Sequence, residues 1–173
     1  MFQFPTSGAS GGLVLAWWPG VDLKCFSANK NHILAWWYSN PPHSPWIISC
    51  VHGPHAKSDK QAFWDWFTSV GTNFDAPWLC IGDFNSVLSQ LEKLSGRPVN
   101  NSLTSNLKNF VDQLGMIDLG FAGNPFTYQR WIHLHPDFAL LHIPTYNSDH
   151  NPISLNTNNP SFFLHRPFRF KEF

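Results

Sequence analysis

The chain has 173 residues, enough for a single domain with a hydrophobic core. With 43% hydrophobic and 13% charged residues, the composition is that of a globular protein and excludes a largely disordered chain. The 11 Lys and Arg residues balance 11 Asp and Glu residues, so the chain lacks the basic excess that drives general binding to phosphate backbones. Any contact with nucleic acid is therefore expected to be local.

Cysteine usage and the N-terminal segment indicate the compartment. Cys25, Cys50 and Cys80 lie in apolar runs and are odd in number, which favours reduced core thiols of an intracellular protein, nuclear or cytoplasmic, over a disulfide framework. The segment MFQFPTSGASGG does not have the pattern of a signal peptide, and no apolar run reaches the length of a membrane span. The 9 Trp and 16 Phe residues predict exposed aromatic surface and a tendency to self-association or aggregation.

The first part of the chain is predicted to form a sheet of consecutive strands. Apolar or alternating segments are separated by turns rich in Gly, Pro, Asn and Ser. These segments predict strands over residues 13–18, 21–27, 32–38 and 46–52.

Two helices are predicted from apolar residues at helical spacing. The first begins at Ser58, where SDKQ has the spacing of a capping box, and ends at Gly71. The second spans residues 103–114, with Ser102 as its N-cap and Gly115 as its stop signal.

Three more strands complete the predicted architecture. WLCI, residues 78–81, is continuously apolar and typical of a strand buried on both faces. Residues 138–144 and 152–156 are predicted to be closing strands, followed by a Pro- and Asn-rich linker over 158–173. Because strands and helices alternate along the chain, the predicted fold class is α/β or α+β.

The tetrapeptide GDFN, directly after WLCI, is the first candidate site. An Asp at a strand end, here Asp83, can orient or deprotonate a water or bind a metal, and Asn85 can donate to a phosphate oxygen without adding negative charge. Gly82 allows a close approach to the carboxylate. An Asx turn, in which both side chains bond only local backbone, explains the same residues without chemistry.

The second candidate site is SDHNP, where Asp149 and His150 are adjacent before a predicted strand. The His can protonate a leaving group or stabilise a crowded phosphate, and the carboxylate can hold a divalent cation. A polar turn without catalytic function accounts for these residues equally well.

Together, GDxN after an apolar strand and SDHxP before a later one resemble the endonuclease/exonuclease/phosphatase superfamily, whose members cleave phosphate esters with magnesium. SGGLVLAWW, FWDWF, LGFAGNPFTY, SDHNPI and RPFRF, in this order, resemble the endonuclease region of a plant LINE-type non-LTR retrotransposon polyprotein. Residues 1–157 would be the endonuclease-like domain, and residues 158–173 resemble the linker that leads into a reverse transcriptase. The resemblance implies a four-layer sandwich, two β-sheets flanked by helices.

The resemblance also implies roles for individual residues. Asp83 would activate the attacking water, and Asn85 would position the nucleophile and the phosphate of DNA. Asp83, Asn85 and Asp149 would lie at a magnesium ion, and His150 would contact the scissile phosphate. No obligate protein partner is implied.

The chain departs from the family pattern in three places. It begins after the QET-type motif whose Glu is the principal metal ligand, so we expect a truncated domain and an incomplete sandwich. FTYQR runs directly into WIHLHPDF, without the RLDR-type segment whose Asp would orient His150. His52 stands at the Tyr of the YGxP motif and is a candidate substrate-binding residue. We expect very weak activity or none; the alternative is a non-enzymatic remnant or an aromatic-rich binding fragment.

Overall fold

The structure is a computed structural model, and it describes residues 1–4, 12–39, 41–86, 101–118, 126–128, 139–143 and 152–157. The helices are α1 (Lys57–Asn73) and α2 (Asn101–Leu114). The strands are β1 (Phe2–Phe4), β2 (Leu13–Leu15), β3 (Leu23–Asn29), β4 (His32–Trp37), β5 (Trp46–His52), β6 (Trp78–Asp83), β7 (Met116–Asp118), β8 (Phe126–Tyr128), β9 (Ala139–His142) and β10 (Ile153–Asn156).

A six-stranded sheet in the order β3-β4-β5-β6-β8-β7 forms the centre of the fold. The strands β3, β4 and β5 pair antiparallel, as expected for consecutive strands joined by short turns. The pair β5 and β6 is parallel, with α1 as the connection between them. The predicted strand over 13–18 is shorter than expected, and as β2 it pairs with β1 outside this sheet.

Helices cover one face of the central sheet, and two small sheets cover the other. Alternating side chains of each strand point to opposite faces, so each strand contributes to two cores. The helical face is rich in aromatic side chains, among them Phe63, Trp64, Phe67, Trp78 and Phe110. On the other face, Leu15 of β2 and Leu140 of β9 join the aliphatic side chains of the central strands. The predicted α/β class is confirmed, and the described layers are consistent with an incomplete α+β sandwich.

The helix α1 differs from the prediction at both ends. Ala56 is its N-cap and makes no side-chain cap hydrogen bond, so the predicted capping box is wrong. Ser58 lies inside the first turn and donates to Asp59 Oδ1 at 2.7 Å. Gly71 does not end the helix, which continues to Asn73. A Cβ at Gly71 would lie 2.5 Å from Trp78 Cζ3, so the glycine serves close packing rather than termination.

The helix α2 begins at Asn101, one residue before the predicted N-cap, so Ser102 lies within the helix and the N-cap prediction is wrong. Its end agrees with the prediction. Gly115 follows Leu114 with φ of +59°, the left-handed conformation that ends many helices.

The cysteine side chains lie in or beside the two hydrophobic cores. Cys50 and Cys80 are buried and Cys25 is half-buried, all as free thiols. Burial raises the pKa of the Cys50 thiol to about 12, which makes it unreactive at neutral pH. Within the described residues, no helix is long and apolar enough to cross a membrane.

Candidate functional site

The carboxyl ends of β5 and β6 form one corner of the central sheet. In the parallel register, His52 at the end of β5 is the partner of Asp83 at the end of β6. The backbone N–H of Gly53 donates to the carbonyl oxygen of Asp83 at 2.7 Å, which extends the pairing by one residue. The segments HGPH, residues 52–55, and GDFN, residues 82–85, therefore meet at this corner.

Asn85 connects the two strand ends. Its backbone N–H donates to Asp83 Oδ1 at 2.8 Å, which is the local turn that sequence reasoning offered as the alternative. Its side chain does more, because Nδ2 donates to the carbonyl oxygen of Gly53 at 2.8 Å. Nδ2 also lies 3.5 Å from His55 Nε2. The same residue thus makes the turn and ties it to β5.

Two glycines allow the strand ends to approach this closely. Gly82 has φ of +132°, and a Cβ there would lie 2.1 Å from the carbonyl oxygen of Val51. A Cβ at Gly53 would lie 2.1 Å from the carbonyl oxygen of Phe84. Neither position can accept a larger residue without moving the backbone.

Lys60, on α1, supplies a positive charge under the corner. Its side chain is 8% exposed, and Nζ donates to the carbonyl oxygen of Asn85. Nζ also lies 3.4 Å from Ser86 Oγ. Burial lowers the pKa of Lys60, the Asp83 carboxylate opposes that shift, and the neighbouring Lys57 adds to it. Sequence reasoning missed Lys60, although a lysine at the helical spacing of Phe63 and Phe67 was a visible signal.

Two histidines face each other beside the turn. His52 is half-buried, and its backbone N–H donates to the carbonyl oxygen of Asn31 at 2.8 Å. The ring of His55, which is exposed, lies at 5.5 Å from the ring of His52 in an edge-on arrangement. His55 is the second residue that sequence reasoning missed, because its proximity to Asn85 depends on the pairing of the strands.

The remaining predicted site residues, Asp149 and His150, lie outside the described residues. The structure therefore brings together His52, Asp83 and Asn85 among the residues singled out in the sequence.

A magnesium ion at the corner would need oxygen ligands. Magnesium takes oxygen ligands and is usually held by one or two carboxylates plus waters and substrate phosphates. Among the described residues, Asp83 Oδ2 accepts no hydrogen bond, so it is available as such a ligand. No group of three or more His, Cys, Asp or Glu side chains in the described part could hold a metal by itself. Among the described residues, the corner thus offers such an ion one carboxylate oxygen, Asp83 Oδ2.

Comparisons with known proteins give few matches. No family model and no curated protein matches the chain. Seven chains of solved structures match, among them the human Nocturnin catalytic domain with bound sulfate anion. That match has 12% sequence identity and a TM-score of 0.42, and it covers 78% of this chain. The chain spans 60% of the length of that Nocturnin chain. A likeness of this degree does not define a family for the chain.

Proposed function

We propose that the chain is a nuclease-like domain that binds DNA phosphodiesters at the corner between β5 and β6. The observation that supports this best is the pairing of His52 with Asp83 and the bond from Asn85 to Gly53, which join two separate motifs. In open α/β sheets, ligands bind beyond the carboxyl ends of the strands, where this corner lies. The resemblance to plant LINE-type endonuclease regions supports the proposal that the domain comes from a retrotransposon polyprotein, ahead of a reverse transcriptase.

Each residue of the corner has a role in this proposal. The half-buried carboxylate of Asp83 orients the attacking water and accepts its proton. Asn85 Nδ2 has two protons and uses one for Gly53, so the second can donate to a phosphate oxygen beside His55. His52 contacts the phosphate in place of the family's Tyr, and His150 contacts the scissile phosphate.

A magnesium ion would be held by Asp83, Asn85 and Asp149 in this proposal. When bound, it would supply positive charge that stabilises the negative charge developing on the phosphate.

The proposed hydrolytic activity is very weak. The chain lacks the segment whose Asp would hold His150 in the correct orientation, and a His replaces the Tyr at position 52. Loss of catalytic groups that act together removes roughly 10⁴- to 10⁶-fold in rate in well-studied enzymes. A slow, magnesium-dependent nicking activity is therefore the expected behaviour.

Plasmid nicking tests the proposal. Purified protein is incubated with supercoiled DNA and magnesium, beside Asp83→Ala, His150→Ala and the control Asp65→Ala, which changes an exposed carboxylate on α1. We expect slow nicking by the wild type and Asp65→Ala, and background levels for the other two. Nicking that persists in Asp83→Ala would show that the corner is not the site.

A second candidate is a non-enzymatic remnant that binds through aromatic surface. Trp18 is 83% exposed, and Phe26, Tyr38 and Trp66 are also exposed, which favours contact with other molecules. Thermal unfolding separates the two proposals. A cooperative transition that magnesium moves to higher temperature supports the nuclease-like site, whereas a broad transition without a magnesium effect, together with no nicking, supports the remnant.

A further inference from the structure

Lys60 occupies an unusual position for a charged residue. It lies on the buried face of α1 with Phe63, Trp64 and Phe67, and it is 8% exposed. A lysine in such a place usually extends its ammonium group to water, because burying a charge without partners is costly. Here the ammonium group is turned to the corner, where it donates to Asn85 O and Ser86 Oγ.

The acceptor of this bond is a strained residue. Asn85 is one of two described non-glycine residues with positive φ, at 48°. Its N–H is bound to Asp83 Oδ1, its side chain to Gly53, and its carbonyl to Lys60. The hydrogen bond from Lys60 to the Asn85 carbonyl oxygen restrains the peptide group after Asn85, because rotation of that group would break the contact with the ammonium group.

We propose that Lys60 is a positioning residue of the corner, which holds the Asn85 turn so that the Asp83 carboxylate and the Asn85 amide face the same phosphodiester. The functional part of this inference rests on the nuclease-like function proposed above. The structural part, that Lys60 determines the conformation of the turn, stands on the contacts alone.

The first test measures how stable the hydrogen bonding of the Asn85 turn is in the full chain. Amide hydrogen exchange of Asn85 is recorded by NMR for the wild type, Lys60→Met, Lys60→Arg and Lys57→Met. Lys57 is the matched control, because it is an exposed lysine on the same helix. We expect Lys60→Met to lose roughly 10- to 100-fold of the protection of the Asn85 N–H, while Lys57→Met keeps it.

Rescue by the conservative variant separates positioning from simple packing. Lys60→Arg keeps a charged donor and should restore most of the protection, whereas Lys60→Met keeps the apolar stem without a donor. Unchanged protection of Asn85 in folded Lys60→Met would overturn the inference. If that variant does not fold, proton exchange of the lysine ammonium groups in the wild type tests the inference instead. The ammonium protons of Lys60 should exchange more slowly than those of Lys57. Equal exchange rates would overturn the inference as well.

The second test addresses the site. Magnesium-dependent nicking of supercoiled DNA should fall to background in Lys60→Met, return in Lys60→Arg and remain in Lys57→Met. If the wild type shows no nicking, the proposed function fails, and the exchange of the Asn85 amide still decides the positioning role of Lys60. The two failures are thereby distinguishable.

Discussion

The interior of the β5–β6 pair and its carboxyl end differ sharply although they belong to the same two strands. In the interior, Ile48 and Leu79 are register partners, both are buried, and apolar side chains enclose them on their face of the sheet. Four residues further along, His52 and Asp83 are half-buried and polar. The interior therefore supplies the stability that holds the pair in register, and the end carries groups suited to chemistry.

The largest expected loss of stability comes from a substitution in the helix-covered core. Phe67 is 0% exposed, stacks on Phe110 at 5.1 Å and meets Trp78 edge-on at 5.0 Å. Phe67→Ala should lower the free energy of unfolding by about 3–5 kcal/mol, because it leaves a cavity against β6. Urea denaturation measures the change. Trp66→Ala, which truncates a 39% exposed aromatic on the same helix, should have a clearly smaller effect. Equal effects would contradict a division between interior and surface.

The close approach of β5 and β6, where the buried interior of the pair meets its polar end, is expected to depend on Gly82. Gly82→Ala adds a Cβ at 2.1 Å from the Val51 carbonyl oxygen and places a side chain at φ of +132°. We expect a loss of roughly 2–4 kcal/mol in stability, from backbone strain and from the clash. Gly20→Ala is the matched control, since Gly20 has φ of +95° but nothing within 4 Å. A loss in Gly82→Ala no larger than in Gly20→Ala would show that the strand approach does not matter.

Low pH is expected to lower the free energy of unfolding through His32, which lies near the corner. This residue pairs with Val51 in the register of β4 and β5, and no described residue partners its buried Nδ1. Burial lowers the pKa of His32 to about 4, from an ordinary value of 6.5. The folded state therefore favours the neutral ring, and its stabilisation is complete above pH 6.5 and falls as the pH drops towards 4.

The expected loss is roughly 3 kcal/mol across this pH range. It is measured as the pH dependence of urea unfolding for the wild type minus that for His32→Gln, which does not titrate. The chain has nine histidines, so the difference between the two proteins is the quantity that reports on His32. A difference that does not change with pH would exclude His32 as the cause.

The smallest expected change concerns Asn85. Asn85→Ala removes the 2.8 Å bond from Nδ2 to Gly53 and leaves a β-carbon at φ of 48°, so we expect a loss of roughly 1–2 kcal/mol. Asn85→Gly removes the same bond without the conformational penalty, and its loss should be smaller. Thermal unfolding compares the two variants. If Asn85→Gly is no more stable than Asn85→Ala, backbone strain at this turn does not contribute to stability.

Local pattern accounts well for the interior of the fold. The predicted strands over 32–38 and 46–52 agree with the observed β4 and β5, whose largely apolar residues are buried on both faces of the sheet. Gly115 was also predicted correctly, since a left-handed stop residue is a property of the local backbone. The capping residues Ser58 and Ser102 were wrong, because a favourable spacing does not prevent a helix from starting one residue earlier.

By itself, the sequence predicted β2 to β6, β9, β10 and the approximate positions of both helices, because periodicity and turn chemistry act over a few residues. It also singled out Asp83 and Asn85 at the end of β6, but it did not predict β1, β7 or β8. Only the tertiary structure decided the composition of the corner. The parallel register placed His52 beside Asp83, the close approach of backbones required Gly53 and Gly82, and the packing of α1 brought Lys60 to Asn85. These contacts join residues far apart in the chain, so no local pattern can specify them.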